Sequence, residues 1–527
     1  MTFLSTNGWL NMIISPESKI FILSNIPIDN TYDHTLYFTN AENQNDYFLS
    51  KAKYSRSNYT YQRSNSNTIR VDIRTENLYD CNYIVFQNSA FGTKWFYAFI
   101  TSVDYVNNET SDIHYEIDVM QTWFFDYAME QCFVEREHTA SDEIGEHIEA
   151  EPVSTGEYVF NDYSQIMLMR EMVVCVAIVD TDGESAGTLY DGIYGAAQLF
   201  VYDSTDVSSI NGKINEYTQK PDSILGIYMF PKSFLLNSTI PENHLIEQRT
   251  SATSTVVLQN ALTGTETLDG YLPKNKKLYT YPYNFYHVDN ASGNELSLRY
   301  EFFDNLRPVV EISGTITQPV TAILRPCSYK GVASYSDLGG WTTLNTETLQ
   351  MSNYPICSWN VDAYQAWVAQ NSIPLALGVA SKTAQGFVSG AGVGGMVSSG
   401  IGQVTNIVSQ AYTASISADI AKGNLNNGGA NVANGKQQFY GGRCSVTAEY
   451  ARIIDDFFTR FGYAVKRVKL PNRVARPHWN YVKTVDFSAN GSIPSDDMKK
   501  ICSIYNSGVT FWKNPSEVGN YSLDNSI

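Results

Sequence analysis

Apolar and polar positions alternate along much of the first 120 residues. In 94–106 (KWFYAFITSVDYV) Trp95, Tyr97, Phe99, Thr101, Val103 and Tyr105 fall on one side at period two, and Ile113, Tyr115, Ile117 and Val119 do the same in 113–120. That period belongs to strands. Asn107, Asn108, Glu109 and Thr110 supply turn chemistry between the two runs, so the pattern predicts an antiparallel hairpin with a heavily aromatic, buried face.

The stretch 135–153 (EREHTASDEIGEHIEAEPV) concentrates acidic residues around Gly145 and ends at Pro152 and Val153, which reads as a loop or linker. Short apolar runs punctuated by Gly, Asp, Asn and Pro follow: MVVCVAIV from Met172, then QLFVYD, ILGIYMF and STVVLQ, and later LSLRYEFFD, PVVEISGTI and PVTAILRP. They predict further strands. Two amphipathic helices stand out near the end. Tyr450, Ile453, Ile454, Phe457, Phe458 and Phe461 follow helical spacing, with Asp456 placed to pair with Arg460 and Gly462 as the stop. Ser495 is placed to cap a second helix with Asp496 and Asp497 in its first turn, Met498, Ile501, Cys502 and Tyr505 on one face, and Gly508 after it. The closing Gly-Val-Thr-Phe-Trp reads as a last strand.

Between these regions the pattern breaks. From 383 to 418 no side chain is charged, and the run is rich in Gly, Ala, Ser and Val. A core helix would carry fewer glycines, each of which costs about 1 kcal/mol against Ala. A passive linker has no need of Phe387, Val388, Val393, Met396, Val397, Ile401, Val404, Ile407 and Val408. Gly386, Gly390 and Gly394 repeat the small-xxx-small spacing of helices that meet closely in lipid, and the run exceeds the roughly 20 residues that span a bilayer. Its Ser, Thr and Gln content makes it less apolar than a permanent membrane span. We read it as a segment packed away from water at first and able to enter a membrane later, with a plug inside an oligomer, or ordinary core, as the readings that need no lipid. A polar Gly- and Asn-rich stretch, 423–438, follows it.

Composition narrows the function. Of the 527 residues 43% are hydrophobic and only 17% charged, with 36 Tyr and 25 Phe, a balance that suits sheets better than solvated helices. The net charge of −18 argues against gripping nucleic acid, which needs Lys and Arg on phosphates, although an acidic wall would let a polyanion slide past. Seven scattered cysteines (81, 132, 175, 327, 357, 444 and 502) form no Cys-x-x-Cys pair and read as buried thiols from a reducing cytoplasm. The first residues lack the basic start and apolar core of a secretory signal.

Three motifs invite catalytic or ligand readings. Gly183-Glu184-Ser185-Ala186-Gly187 matches the nucleophile elbow G-x-S-x-G, yet no oxyanion segment lies upstream and nothing singles out His287 or His478 as the base. A Gly-rich turn explains it better. G-x-G-x-x-G recurs around Gly390, Gly392 and Gly394–Gly395, with Asp419 downstream, but glycine is so dense there that a match arises by chance. His138, Asp142, Glu143, Glu146 and His147 match no zinc or EF-hand spacing, and solvated linker charge accounts for them equally well. We therefore expect no catalytic residue, no metal and no cofactor.

Taken jointly, four stretches carry a resemblance. Residues 94–127 (KWFYAFITSVDYVNNETSDIHYEIDVMQTWFFDY) resemble the N-terminal signature of the distal tail-tube, or tail knob, proteins of small short-tailed phages with Gram-positive hosts. RPHWNYVKT (476–484) and NGSIPSDDMKKICSIYNSGVTFW (490–512) resemble the C-terminal signatures of that family, and AEYARIIDDFFTRFGYAVKRVKLPN (448–472) is similar to its helix and turn. The resemblance implies a homohexameric tube with a channel for genome ejection, and a knob-like elaboration. It also implies long hydrophobic loops, here about 373–435, that plug the channel and leave it to form a membrane pore. Its implied partners are other tail proteins, DNA that passes without specific binding, and the host membrane; its place is the tail tip of the virion, after synthesis in the host cytoplasm.

The expected architecture is mainly β with a few helices, a multidomain subunit of a ring-shaped tube. We expect an N-terminal β tube domain over 1–152, a middle β-rich, knob-like domain over 153–300, a C-terminal tube domain from 301–370 and 437–527, and an inserted hydrophobic loop over 371–436. The membrane-active residues would be Phe387, Val388, Gly390, Val393, Gly394, Met396, Val397, Ile401, Val404, Ile407 and Val408. The rival functions are a host-adhesion tail protein and, further off, a cell-envelope hydrolase using Ser185.

Overall fold

Strands dominate. The computed structural model describes residues 18–57, 61–62, 67–88, 92, 94–166, 171–179, 189–190, 193–194, 197–217, 223–249, 253–290, 293–317, 320–330, 348–351, 356–357 and 439–527. The chain divides into two compact units: Met1–Ser154, Pro273–Leu278 and Arg452–Ile527 make the first, and Thr155–Leu272 with Tyr279–Ala451 the second. The proposed limits of an inserted loop, 371–436, and all eleven membrane-active candidates from Phe387 to Val408 lie outside the described residues, as do Ser185 and Asp419.

In the first unit an antiparallel sheet runs in the spatial order Ala52–Ser57, Ser18–Ser24, Cys81–Asn88, Trp95–Asn107, Thr110–Ile117, Thr68–Val71, Tyr61–Gln62. Trp95–Asn107 and Thr110–Ile117 form the predicted hairpin, and the Glu109 amide donates to Asn107 Oδ1 at 2.9 Å across the turn. Two details correct the sequence reading. Register shifts between Ile100 and Ser102 and between Tyr105 and Asn107 break the alternation, so Tyr97 and Phe99 are buried while Thr101 and Tyr105 are exposed. Val119 is not in the strand: the Met120 and Gln121 amides donate to Asp118 Oδ1 at 3.0 and 3.1 Å, which caps the helix Val119–Thr122.

A second sheet of this unit orders His34–Leu36, Val509–Trp512, Trp479–Val485, Cys132–Glu137 and Tyr463–Lys469, the first pair parallel and the others antiparallel. Its core is aromatic. Trp479 and Trp512 are fully buried with centroids 5.0 Å apart, and Phe487 stacks on Tyr505 at 4.0 Å.

The helix Ala448–Phe461 forms where expected, but its buried face is Ala451, Ile454, Asp455, Phe458 and Thr459. Ile453 is 56% exposed, so the face is turned from the predicted one by the need to bury Asp455 among its donors. Arg460 lies over the Tyr521 ring at 5.0 Å. Ser495 opens the last helix, Ser495–Ser507, as its first residue rather than as its cap; Pro494 holds the cap position and contributes no side-chain bond. Gly508 (φ 98°) ends it, donating to Ile504 O at 3.0 Å.

The second unit is built from smaller sheets. Met172–Ile178, buried throughout, lies between Gln198–Asp203 and Ile224–Pro231. Thr253–Val257, Val309–Gly314, Ala322–Pro326 and Leu349–Met351 form another sheet in that order. Of the run LSLRYEFFD only the start is strand, in Glu295–Leu298; Tyr300–Phe302 and Asp304–Leu306 are single 3-10 turns. Cys81, Cys132, Cys175 and Cys444 are buried, Cys327 and Cys502 half-buried, and all six are free thiols. Among the described residues no helix is long and apolar enough to cross a membrane.

Candidate functional site

From 140 on, the acidic stretch 135–153 is the irregular loop expected, with Glu143 and Glu146 exposed, but its two ends are not. Arg136, Glu137, His138 and Thr139 are buried and the Glu151 side chain is wholly so, which corrects the expectation of solvated charge at these positions. Glu151 accepts from Arg136 Nη2, from Lys277 Nζ and from the Ala464 amide at 2.8 Å. Glu137 pairs with Lys469 and accepts from the Asn472 amide at 2.8 Å. Pairing and bonding of this kind offset the cost of burying these charges. Burial, offset in part by Glu151, pulls the Lys277 pKa below the ordinary lysine value.

The five residues considered for a metal are committed elsewhere. His138 Nε2 donates to Thr459 O at 3.0 Å and its Nδ1 accepts from the Tyr481 amide at 2.8 Å, which fixes a neutral imidazole. Burial, reinforced by the nearby Arg476 charge, pushes its pKa down to about 3. Asp142 accepts from Tyr463 Oη at 2.6 Å and from the Lys276 amide at 3.0 Å, Glu146 from Ser141 Oγ at 2.7 Å, and His147 Nε2 lies 2.9 Å from Ser141 O. Glu143 is left 3.7 Å from Lys276. Among the described residues no group of three or more His, Cys, Asp or Glu is placed to hold a metal ion.

Connectivity gives these bonds their meaning. The first unit's chain leaves at Ser154, returns for Pro273–Leu278, leaves again and returns at Arg452. The short return is pinned on both sides: Asp455 accepts from the Lys274 amide (2.7 Å), the Asn275 amide (3.0 Å) and Asn275 Nδ2 (2.7 Å), while Lys277 reaches Glu151 and Glu149 O. Glu151 and Asp455 thus clamp the places where the rest of the chain is spliced in. Sequence reasoning missed Glu151, Lys277 and Asp455, because a buried charged residue carries no local signature. Arg476 is 1% exposed, and among the described residues its three guanidinium nitrogens have no hydrogen-bond partner.

Both ends of the undescribed 358–438 are rooted in sheets of the second unit. Before it, Ile356–Cys357 pairs with Ile227 and Tyr228. After it, Tyr440–Val446 lies at the centre of a sheet, bonded on one side to Asn284–Asp289 and on the other to Tyr158–Phe160 and Ser164–Gln165. Gly442 is required there, because a Cβ would collide with the Asp162 carbonyl. The described residues on either side of this long segment are therefore each tied into a sheet.

Comparison with known proteins finds relatives along nearly the whole chain. Residues 248–526 match the family model described as the C-terminal domain of the tail knob protein gp9 of Bacillus phage phi29, and residues 16–128 match that of the caudoviral major tail protein N-terminus. The second match contains the whole seven-stranded sheet. The chain is 28% identical to tail knob protein gp9 of Bacillus phage PZA and 26% identical to that of Bacillus phage phi29, each over 97% of this chain and 98% of the relative. Among solved structures, the tail knob protein gp12 of bacteriophage C1 shares its fold, with a TM-score of 0.59 at 15% identity over 96% of this chain and 99% of that one.

Proposed function

Since the chain belongs to the family of the phi29 tail knob protein gp9, whose model matches more than half of it, we propose that it forms the distal tail tube and knob through which a phage genome leaves. Membership makes it a structural component of the virion tail, produced in the cytoplasm of the infected host. The proposal goes further. Copies of the chain, six by family resemblance, close into a ring with other tail proteins above it, and DNA passes along the axis without specific binding. The −18 net charge favours a low-friction wall. We assign it no catalytic role, no metal and no cofactor.

The observation that carries the rest is the uncharged, Gly-rich run 383–418, with Phe387, Val393, Met396, Val397 and Ile401 at its centre. Six such segments hide from water against one another, each buried Å² contributing about 25 cal/mol. Once released, they lower their free energy by entering a bilayer, where their backbone must bond internally, as helices or as paired strands. The sheet pairing of Ile356–Cys357 and of Tyr440–Val446, on either side of the segment, suits this scheme. In this scheme the residues from 371 to 436 are plug first and pore afterwards.

Imaging the purified assembly along its symmetry axis tests the proposal. We expect a closed ring with an axial channel, obstructed before activation and open after it. A monomer, or a ring without a channel, overturns it.

A further inference from the structure

Beyond the channel, the second unit carries an aromatic surface that the fold does not need. Directly opposed residues in a sheet share a face: across the central Tyr440–Val446 strand, Phe160 opposes Cys444 and Cys444 opposes Phe285, while Asp289 opposes Tyr440. One face therefore gathers Tyr158, Phe160, Tyr440, His287 and Asp289. Residues 161–163 fold back over Gly442 and bring Tyr163 onto the same face. Phe160 and Tyr163 lie with centroids 4.9 Å apart, Tyr163 is nearly parallel to Tyr440 at 5.8 Å, and Phe160 meets His287 at 5.2 Å.

These rings are not core. Tyr158, Phe160 and Tyr163 are 44%, 46% and 47% exposed, the first two on a strand of the sheet and the third in the turn that follows it. Carboxylates border them: Asp289 accepts from Tyr163 Oη, and Glu295, 74% exposed, lies 3.8 Å from His287. The basic Arg299 is engaged elsewhere, over Tyr281 at 4.3 Å and Phe302 at 5.0 Å.

We propose that this face is a saccharide-binding platform for an uncharged glycan chain, whose ring C–H groups stack on Phe160, Tyr163 and Tyr158 and whose hydroxyls donate to Asp289 and Glu295. Half-exposed aromatic rings beside hydrogen-bond acceptors suit a ligand that is apolar on its ring faces and polar at its edge. Charge weighs against other occupants. A phosphate-rich polymer or nucleic acid meets Asp289 and Glu295 with its own negative charge. A lipid surface would have to desolvate both carboxylates. A copy docked by two-fold symmetry would turn this acidic face on itself, while a neighbour in the ring would present a different surface and is distinguished by the assembly readout below. The inference adds a host-surface contact to the tail reading and is independent of membrane insertion.

The test is saturation-transfer NMR on the full assembled chain with two neutral probes, an N-acetylglucosamine tetramer and maltotetraose, and one anionic probe, poly(glycerol phosphate). Transfer to the ring protons of at least one neutral sugar is expected. Phe160→Ala and Tyr163→Ala should weaken it by roughly fivefold or more, the usual result of truncating an aromatic anchor. Glu295→Gln, too exposed to disturb folding, should weaken it less, and Tyr79→Ala, 75% exposed in the other unit, should leave it unchanged. No transfer from either neutral sugar at millimolar concentration overturns the proposal. So does equal binding by the ring variants, binding of the anionic polymer alone, or loss of assembly in Phe160→Ala, which would make the face a subunit contact.

Discussion

Replacing Glu151 with Gln isolates the clamp that holds the spliced segments. The wild-type carboxylate is fully buried and is the shared counter-ion of Arg136 and Lys277, whose side chains are 8% and 2% exposed. Gln keeps the shape and can still accept from the Ala464 amide, but it leaves two cations in a dry site. Removing one partner of a buried ion pair costs about 3–5 kcal/mol. Lys277 can lessen that cost by shedding its proton, which burial already favours, so about 3 kcal/mol is expected at neutral pH. The sign is testable as well. A depressed lysine pKa means that the unfolded chain binds more protons, so the variant should regain stability as pH rises between its lowered folded value and the ordinary value near 10.5. Urea unfolding at fixed protomer concentration, followed by tryptophan fluorescence, measures this in the unit that buries Trp479 and Trp512. Adding Lys277→Met should return part of the loss. A cost below about 1 kcal/mol, or no recovery at high pH, would refute the clamp.

Two further perturbations probe the same unit. His138, held neutral with its pKa pushed down to about 3, contributes stability that is complete above pH 6.5 and fades as pH falls toward 3; His138→Asn should flatten the melting temperature over that window. Asp118, whose pKa burial pushes up to about 6, acts in the opposite sense, with stability complete below 3.8 and lost as pH rises through 6, so Asp118→Asn should remove that loss. Gly462→Ala should cost more than about 1 kcal/mol by urea unfolding, because φ is 65° and the new Cβ meets the Glu137 carbonyl.

Strands were legible where side chains alternate or run apolar between turn residues, as in Trp95–Asn107, Thr110–Ile117 and Met172–Ile178. What failed was local competition. Bulges turned Thr101 and Tyr105 outward, an Asp cap took Val119 into a helical turn, and the buried acceptor Asp455 rotated a helix that apolar spacing alone would set on Ile453. The charged stretch 135–153 misled most, because composition cannot tell a solvated carboxylate from Glu151, whose cation lies 126 positions away at Lys277. The apolar run was conspicuous from charge alone, and the aromatic platform was not, since its rings come from three separated segments.

The central claim is that the uncharged run breaches the membrane while the rest of the chain builds the tube. It is tested most directly by deleting 383–418 and measuring dye release from liposomes at neutral and mildly acidic pH. The strands and helices described lie outside the deletion, so the shortened chain should assemble as the intact one does and release no dye. Val393→Asp with Val397→Asp should also impair release, each charge costing roughly 2.5–3.5 kcal/mol at mid-membrane depth. If the activated intact assembly never releases dye, or the deleted form releases as much, the run is a plug alone and the membrane role falls.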